Sequence, residues 1–134
     1  MNNAILVNAL RGAASAAGYH LRNADDDRLS APSAGFPAAL LSPPVVRSAK
    51  GRRHGRIEYE VTLRLTDLGA DLPPAKRYPR RQKLENDALA IFTSLSCNER
   101  IIAVENLTVV QQPSAASIHG EIAVVAKARV ITFF

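Results

Sequence analysis

The chain has 134 residues, 47% of them apolar, with a single Cys, no Trp and a formal net charge of +5. That length suits one domain, and the apolar content is above that of disordered chains. One Cys excludes an intrachain disulfide and a zinc site built on several Cys, and no apolar run approaches the ~18 residues needed to cross a bilayer. The 22 alanines predict a core of small and aliphatic side chains. Folds of this size often gain further burial by assembling with copies of themselves.

The first element is a helix over roughly residues 3–17. Ile5, Leu6, Ala9, Leu10, Ala13 and Ala17 fall near helical spacing, and Gly18 supplies a stop. This stretch has the small residues of a signal peptide, but it lacks a basic leading region and Arg11 interrupts its apolar run. It is therefore read as a helix, and the protein as intracellular. "YHLRN" reads as a short strand and "ADDDRLSAPSAG" as a turn-rich loop. "FPAALLSPPVVR" is apolar but carries three prolines, which lack a ladder donor, so an edge or irregular strand is expected.

"RSAKGRRHGR", residues 47–56, follows with five positive charges and no acid. Its glycines and lack of large apolar residues predict a mobile basic loop, or a long hairpin tip. The next segment alternates strictly: Ile57, Tyr59, Val61, Leu63 and Leu65 against Glu58, Glu60, Thr62 and Arg64. Period two over nine residues predicts a strand with one buried and one wet face. A second loop is expected at 67–80. It overlaps the second basic run, "KRYPRRQK", residues 76–83, also without an acid. All twelve acidic residues lie outside these two runs, so the body is mildly acidic with two electropositive outcrops.

A second helix is marked by the stripe Leu84, Ala88, Ile91, Phe92 and Leu95. Arg81 and Lys83 fall in or near its first turn, where cations oppose the helix dipole. Cys97, at its end, reads as a small apolar filler. Two strands close the chain, "RIIAVENLTVVQ" and "SIHGEIAVVAKARVITFF". At 3.3 Å per residue, residues 118–133 would span about 53 Å, against a diameter of about 36 Å for a compact domain of this length. A bend, a break near Gly120 or a projecting end is expected. Ile122, Val124, Ala126, Ala128 and Val130 mark one face, and Ala123, Val125, Ile131 and Phe133 add apolar patches to the other. A strand apolar on both sides suggests cover from outside the monomer; two-sided burial inside one domain is the alternative. The fold class expected is α+β over 1–134: a mostly meandering antiparallel sheet with both helices on one face, in the order α-β-β-β-α-β-β.

Chemistry is sparse. His20, His54 and His119 fall in separate segments without metal spacing, and Asp25–Asp27 lack the spaced ligands of a calcium loop. There is no Walker A loop and no GxGxxG, and Cys97 has no nucleophile signature. No catalytic residue, cofactor or metal is expected, and an unrecognised enzyme using His or Asp residues is the weakest reading. The basic runs remain. Arg47, Lys50, Arg52, Arg53 and Arg56, with Lys76, Arg77, Arg80, Arg81 and Lys83, are candidates for contact with a partner or with phosphates. Tyr78 is the one aromatic within a basic run, which argues against base stacking and readout.

The element order resembles the tail terminator (tail-completion, minor tail) proteins of long-tailed phages and prophages. The resemblance rests on "NAILVNALRGA", on "YEVTLRLTDLG" followed by "LENDALAIFTSL", and on "GEIAVVAKARVITFF". It implies no catalytic residues and a homo-oligomeric ring, commonly hexameric, that caps the tail tube, meets the head connector and passes DNA through its lumen. It implies a place in the host cytoplasm and then in the virion tail, without a membrane. On this view the two basic runs are candidates for lumen or connector contacts, including non-specific DNA contact, and Val125, Arg129, Ile131 and Phe133 for subunit contacts. The prolines of "FPAALLSPP" depart from a regular second strand. The competing reading is a small basic nucleic-acid-binding module whose two runs form one phosphate-tracking surface.

Overall fold

A computed structural model describes residues 2–23, 38–50, 55–67, 74–112 and 122–133. The chain opens with α1 (Asn2–Ala16), β1 (His20–Asn23), β2 (Ala38–Leu41), β3 (Val45–Lys50) and β4 (Arg56–Asp67). It continues with α2 (Pro74–Ser96), β5 (Ile101–Gln112) and β6 (Ile122–Phe133). The expected α+β class holds: a six-stranded, mostly antiparallel sheet carries both helices on one side. One more strand precedes α2 than the expected order allows.

α1 ends as its sequence requires. Gly18 takes a φ of +91°, its N–H donates to the Ser15 carbonyl at 3.0 Å, and the Tyr19 N–H donates to the Ala14 carbonyl at 2.9 Å. These two bonds form a Schellman cap, which needs a left-handed residue at Gly18. The cap turns the chain straight into β1.

The apolar stretch broken by prolines becomes two strands laid end to end along one edge of β4. β2 pairs Ala38–Leu41 with Thr66–Leu63, and β3 pairs Val45–Lys50 with Glu60–Arg56. The Ser42 N–H carries the ladder one residue further, to the Thr62 carbonyl, before Pro43 and Pro44 interrupt it. β1 adds a parallel strand beside β2 alone. The edge here is stepped, one strand wider at the β2 half than at the β3 half.

The closing strands do not form the far end of a meander. β4 and β5 are joined through α2 but leave a gap of one strand, which β6 fills, giving the order β1-β2-β4-β6-β5 with β3 beside β4. β6 pairs with β4 over their full lengths, Ile122 with Asp67 through Phe133 with Arg56. It is therefore the most enclosed strand of the sheet, and β5 is an edge among the described strands. Gly120, where a break was expected, lies outside the described residues.

The core lies between sheet and helices. Tyr59, Val61, Leu63 and Leu65 on β4, and Val124, Ala126 and Val130 on β6, are buried against Leu6 and Leu10 of α1 and the predicted stripe of α2. Two buried threonines reach carbonyls of the neighbouring strand: Thr132 Oγ1 donates to Ile57 and Thr66 Oγ1 to Ala38. Gln111 Nε2 donates to Glu85 Oε1 at 2.7 Å, tying α2 to β5.

α2 begins well before the expected end of the loop. Pro74 suits a first helical position, where the missing N–H has no intrahelical partner anyway. Pro79 stands inside the helix and removes one later donor, which is why "PPAKRYP" reads as loop in sequence. Of the loop expected at 67–80, Asp67 is strand, 74–80 is helix, and 68–73 lies outside the described residues. Arg80, Arg81 and Lys83 consequently sit in the second and third turns of the helix, not its first. Cys97, expected as a buried filler, is exposed just past the end of α2.

Candidate functional site

The second face of the sheet is built by the side chains that alternate away from the helices. In one register row across four strands stand Val45 on β3, Glu60 on β4, Arg129 on β6 and Glu105 on β5. Arg47, at a bulge in β3, closes this row on one side: both Nε and Nη2 donate to Glu60 Oε2. Charge thus alternates from one edge of the sheet to the other, Arg47, Glu60, Arg129, Glu105. The neighbouring row carries Ser48, Glu58, Ile131 and Ala103, and the last Lys50, Arg56 and Phe133.

β5 carries two bulges, one at Ile102 and one opposite Ala128, where Asn106 and Leu107 occupy the place of one residue. Asn106 takes a φ of +55°, a conformation Asn tolerates better than most side chains. A shallow hollow of about 150 Å³ opens there, lined by Glu60, Asn106, Lys127, Ala128 and Arg129. Its mixed charge suits water or a partner's side chain, not a buried small molecule.

The four candidates for subunit contact lie on this one face, because they are spaced by two along β6. Ile131 is only 3% exposed and is withdrawn from the set: burial inside its own chain needs no sister copy. Phe133 is 55% exposed, Arg129 is exposed and Val125 is half-buried. The broader expectation, apolar strand surface on β6 left for another chain, is likewise corrected. Both edges of β6 are paired, one face is under the helices, and Phe133 is its one large exposed apolar side chain.

The first basic run is not one mobile loop. Arg47 and Lys50 belong to β3 and Arg56 to β4, paired in a hairpin; Arg52 and Arg53 lie outside the described residues. The second run is partly neutralised within the chain. Arg80 Nη1 is 3.0 Å from Asp67 Oδ2, and Lys83 Nζ is 2.8 Å from Asp87 Oδ2. The side chains of Lys76 and Arg77 are outside the described set. Arg56 starts β4 and Asp67, Arg80's partner, ends it, about 36 Å away along the strand. Among the described residues, the Arg56 and Arg80 ends of the two runs stand at opposite ends of β4.

Near the second run lies a polar node. Tyr19, almost fully buried, donates its hydroxyl to Asp87 Oδ2 at 2.6 Å, and Lys83 Nζ sits 5.8 Å from the Tyr19 ring centroid. Burial, then the bond to Asp87 and its negative charge, push the Tyr19 phenol well above its ordinary range. Tyr59 is raised by burial alone. The Tyr19 node ties the end of α1 to α2, which is a structural task.

The proline-broken segment was expected to form an edge, and β3 does; that β5 is the other edge had no signal in the sequence. Among the described residues, β5 has no partner on its outer side and β3 none beyond β4. Val45 and Val46 on β3, and Ile102 and Val110 on β5, are each at least half exposed. The prolines before β3 signal an edge; nothing local in "IIAVENLTVVQQ" separates an edge strand from a central one. Among the described residues no three His, Cys, Asp or Glu side chains gather at metal-binding distance, and no helix is long and apolar enough to cross a membrane. No family model matches the chain, and no curated protein matches it.

Proposed function

We propose that this chain is a non-enzymatic structural protein of a phage or prophage tail, acting as a homo-oligomeric ring that terminates the tail tube and meets the head connector. One observation carries the reading: among the described residues the sheet has no further strand on either of two opposite sides, and exposed apolar side chains stand on both edges. A closed ring requires two different and complementary surfaces on every copy, and a sheet with unlike edges supplies them. The order of elements, with a helix before the sheet and a second helix before the closing pair, supports the same family resemblance. The shallow, mixed-charge hollow on the second face fits assembly better than turnover. Tail-tube and connector proteins are the partners this reading names, with DNA a passing occupant of the lumen.

The test is electron microscopy of the purified protein, alone and with tail tubes. Closed rings of one diameter that seat on tube ends are the expected result. Monomers or open aggregates, together with bare tube ends, would overturn it.

A further inference from the structure

We infer that copies of this chain join head to tail by pairing β5 of one copy, over Ile101–Glu105, with β3 of the next, over Val45–Lys50. The inference rests on the ring reading and names the surfaces that close it.

Strand direction comes first. β3, β6 and β5 each run antiparallel to their inner neighbour, so β3 and β5 point in opposite directions. A second copy placed alongside in the same orientation therefore sets its β3 antiparallel to this β5, and the native alternation continues across the junction.

Height along the strands agrees. β3 is level with residues 56–60 of β4, with 129–133 of β6 and with 101–105 of β5. The step between the β1-flanked half and the β3 half of one edge falls at Ser42–Pro44. The bulge that divides β5 falls at Asn106–Leu107, at the same level of the sheet. A bulge bends its strand, so the lower half of β5 can enter the recess beside β3 while the upper half turns past β1.

Charge selects the partner. The alternating row starts with a cation on the β3 edge, Arg47, and finishes with an anion on the β5 edge, Glu105. Joined head to tail, Glu105 meets the next copy's Arg47 and the alternation runs on unbroken. A junction of β3 with β3 instead brings Arg47 toward its own copy, and β5 with β5 does the same for Glu105; like charges opposed across strands are unfavourable. Val46 on β3, level with Val104 of β5, and Ile102, in the β5 bulge level with Ser48 and Ala49, are 55% and 51% exposed and add apolar surface to the two edges.

The experiment is complementation between charge-reversed variants, read by sedimentation velocity from micromolar to millimolar protein, with thermal unfolding as the check on folding. Glu105→Lys spoils the β5 edge and Arg47→Glu the β3 edge. Each alone is expected to weaken assembly at least about a hundredfold. Their equimolar mixture restores it, because every junction again pairs opposite charges. Wild-type assembly unchanged in either variant, or no rescue on mixing, overturns the β3–β5 junction and leaves the ring reading standing. Loss in Glu105→Lys alone points to β5 pairing with itself and equally overturns it. A wild-type protein that is monomeric throughout overturns the ring reading and the junction together. Should Arg47→Glu unfold for want of its bond to Glu60, Val46→Lys replaces it as the β3-edge variant. It too is expected to lose assembly, and normal assembly would overturn the inference.

Discussion

Replacing Tyr19 by Phe removes one oxygen from the node that joins α1 to α2 and leaves the buried ring in place. The lost bond is from a phenol to a charged carboxylate, 2.6 Å long, and such bonds contribute about 1.5–3 kcal/mol. The low end applies, because Asp87 keeps Lys83 at 2.8 Å and is not left unpaired. A loss of about 1.5 kcal/mol corresponds to about 5 °C in Tm for a chain of this length. Circular dichroism during thermal and urea unfolding measures both. A second signature is in the pH dependence. The folded phenol titrates above its unfolded value near 10. Stability is therefore complete below about pH 10 and declines above it, as the unfolded chain releases its proton first. Tyr19→Phe shortens that alkaline decline without abolishing it, because Tyr59 is also raised. Equal stability of variant and wild type, or an unaltered alkaline slope, would refute the reasoning.

Other substitutions probe the frame around the site. Gly18→Ala forces a side chain into a left-handed conformation where nothing else obstructs it, and is expected to cost about 1 kcal/mol by urea unfolding. Gly12→Ala, within α1 and in open space, is expected to stabilise by about 0.5–1 kcal/mol in the same assay. Leu63→Ala, at a fully buried position of β4, should cost about 3 kcal/mol. Non-specific DNA binding, measured by fluorescence anisotropy against salt, should show the shallow slope of one small cluster, because Arg56 and Arg80 stand at opposite ends of β4; a slope requiring most of the ten candidate cations at once would contradict that expectation.

Local signals in this chain specify structure where one residue's surroundings are set by near neighbours. The alternation of residues 57–65 predicts the buried face of β4, the stripe from Leu84 to Leu95 predicts the buried face of α2, and Gly18 predicts the cap of α1. All three depend on spacing alone. The start of α2 was hidden because two prolines before Lys76 and another at Pro79 weigh against helix, although a first-turn proline sacrifices no internal bond. Strand order was hidden for a different reason. β5 and β6 are both long and apolar, and which of them occupies the gap between β4 and the edge is decided by tertiary packing. That choice leaves Ile131 buried within the sheet, on the face away from the helices, and makes β5 the edge among the described strands. Glu105 gains meaning only beside Arg129, Glu60 and Arg47, residues from three other strands that no sequence window holds together.

Native mass spectrometry of the unmodified protein tests the account most directly. It predicts one discrete assembly at a fixed multiple of the 14.4 kDa chain, with no ladder of open-ended lengths. A single peak at one chain mass at every concentration, or a continuous series of lengths, would contradict it.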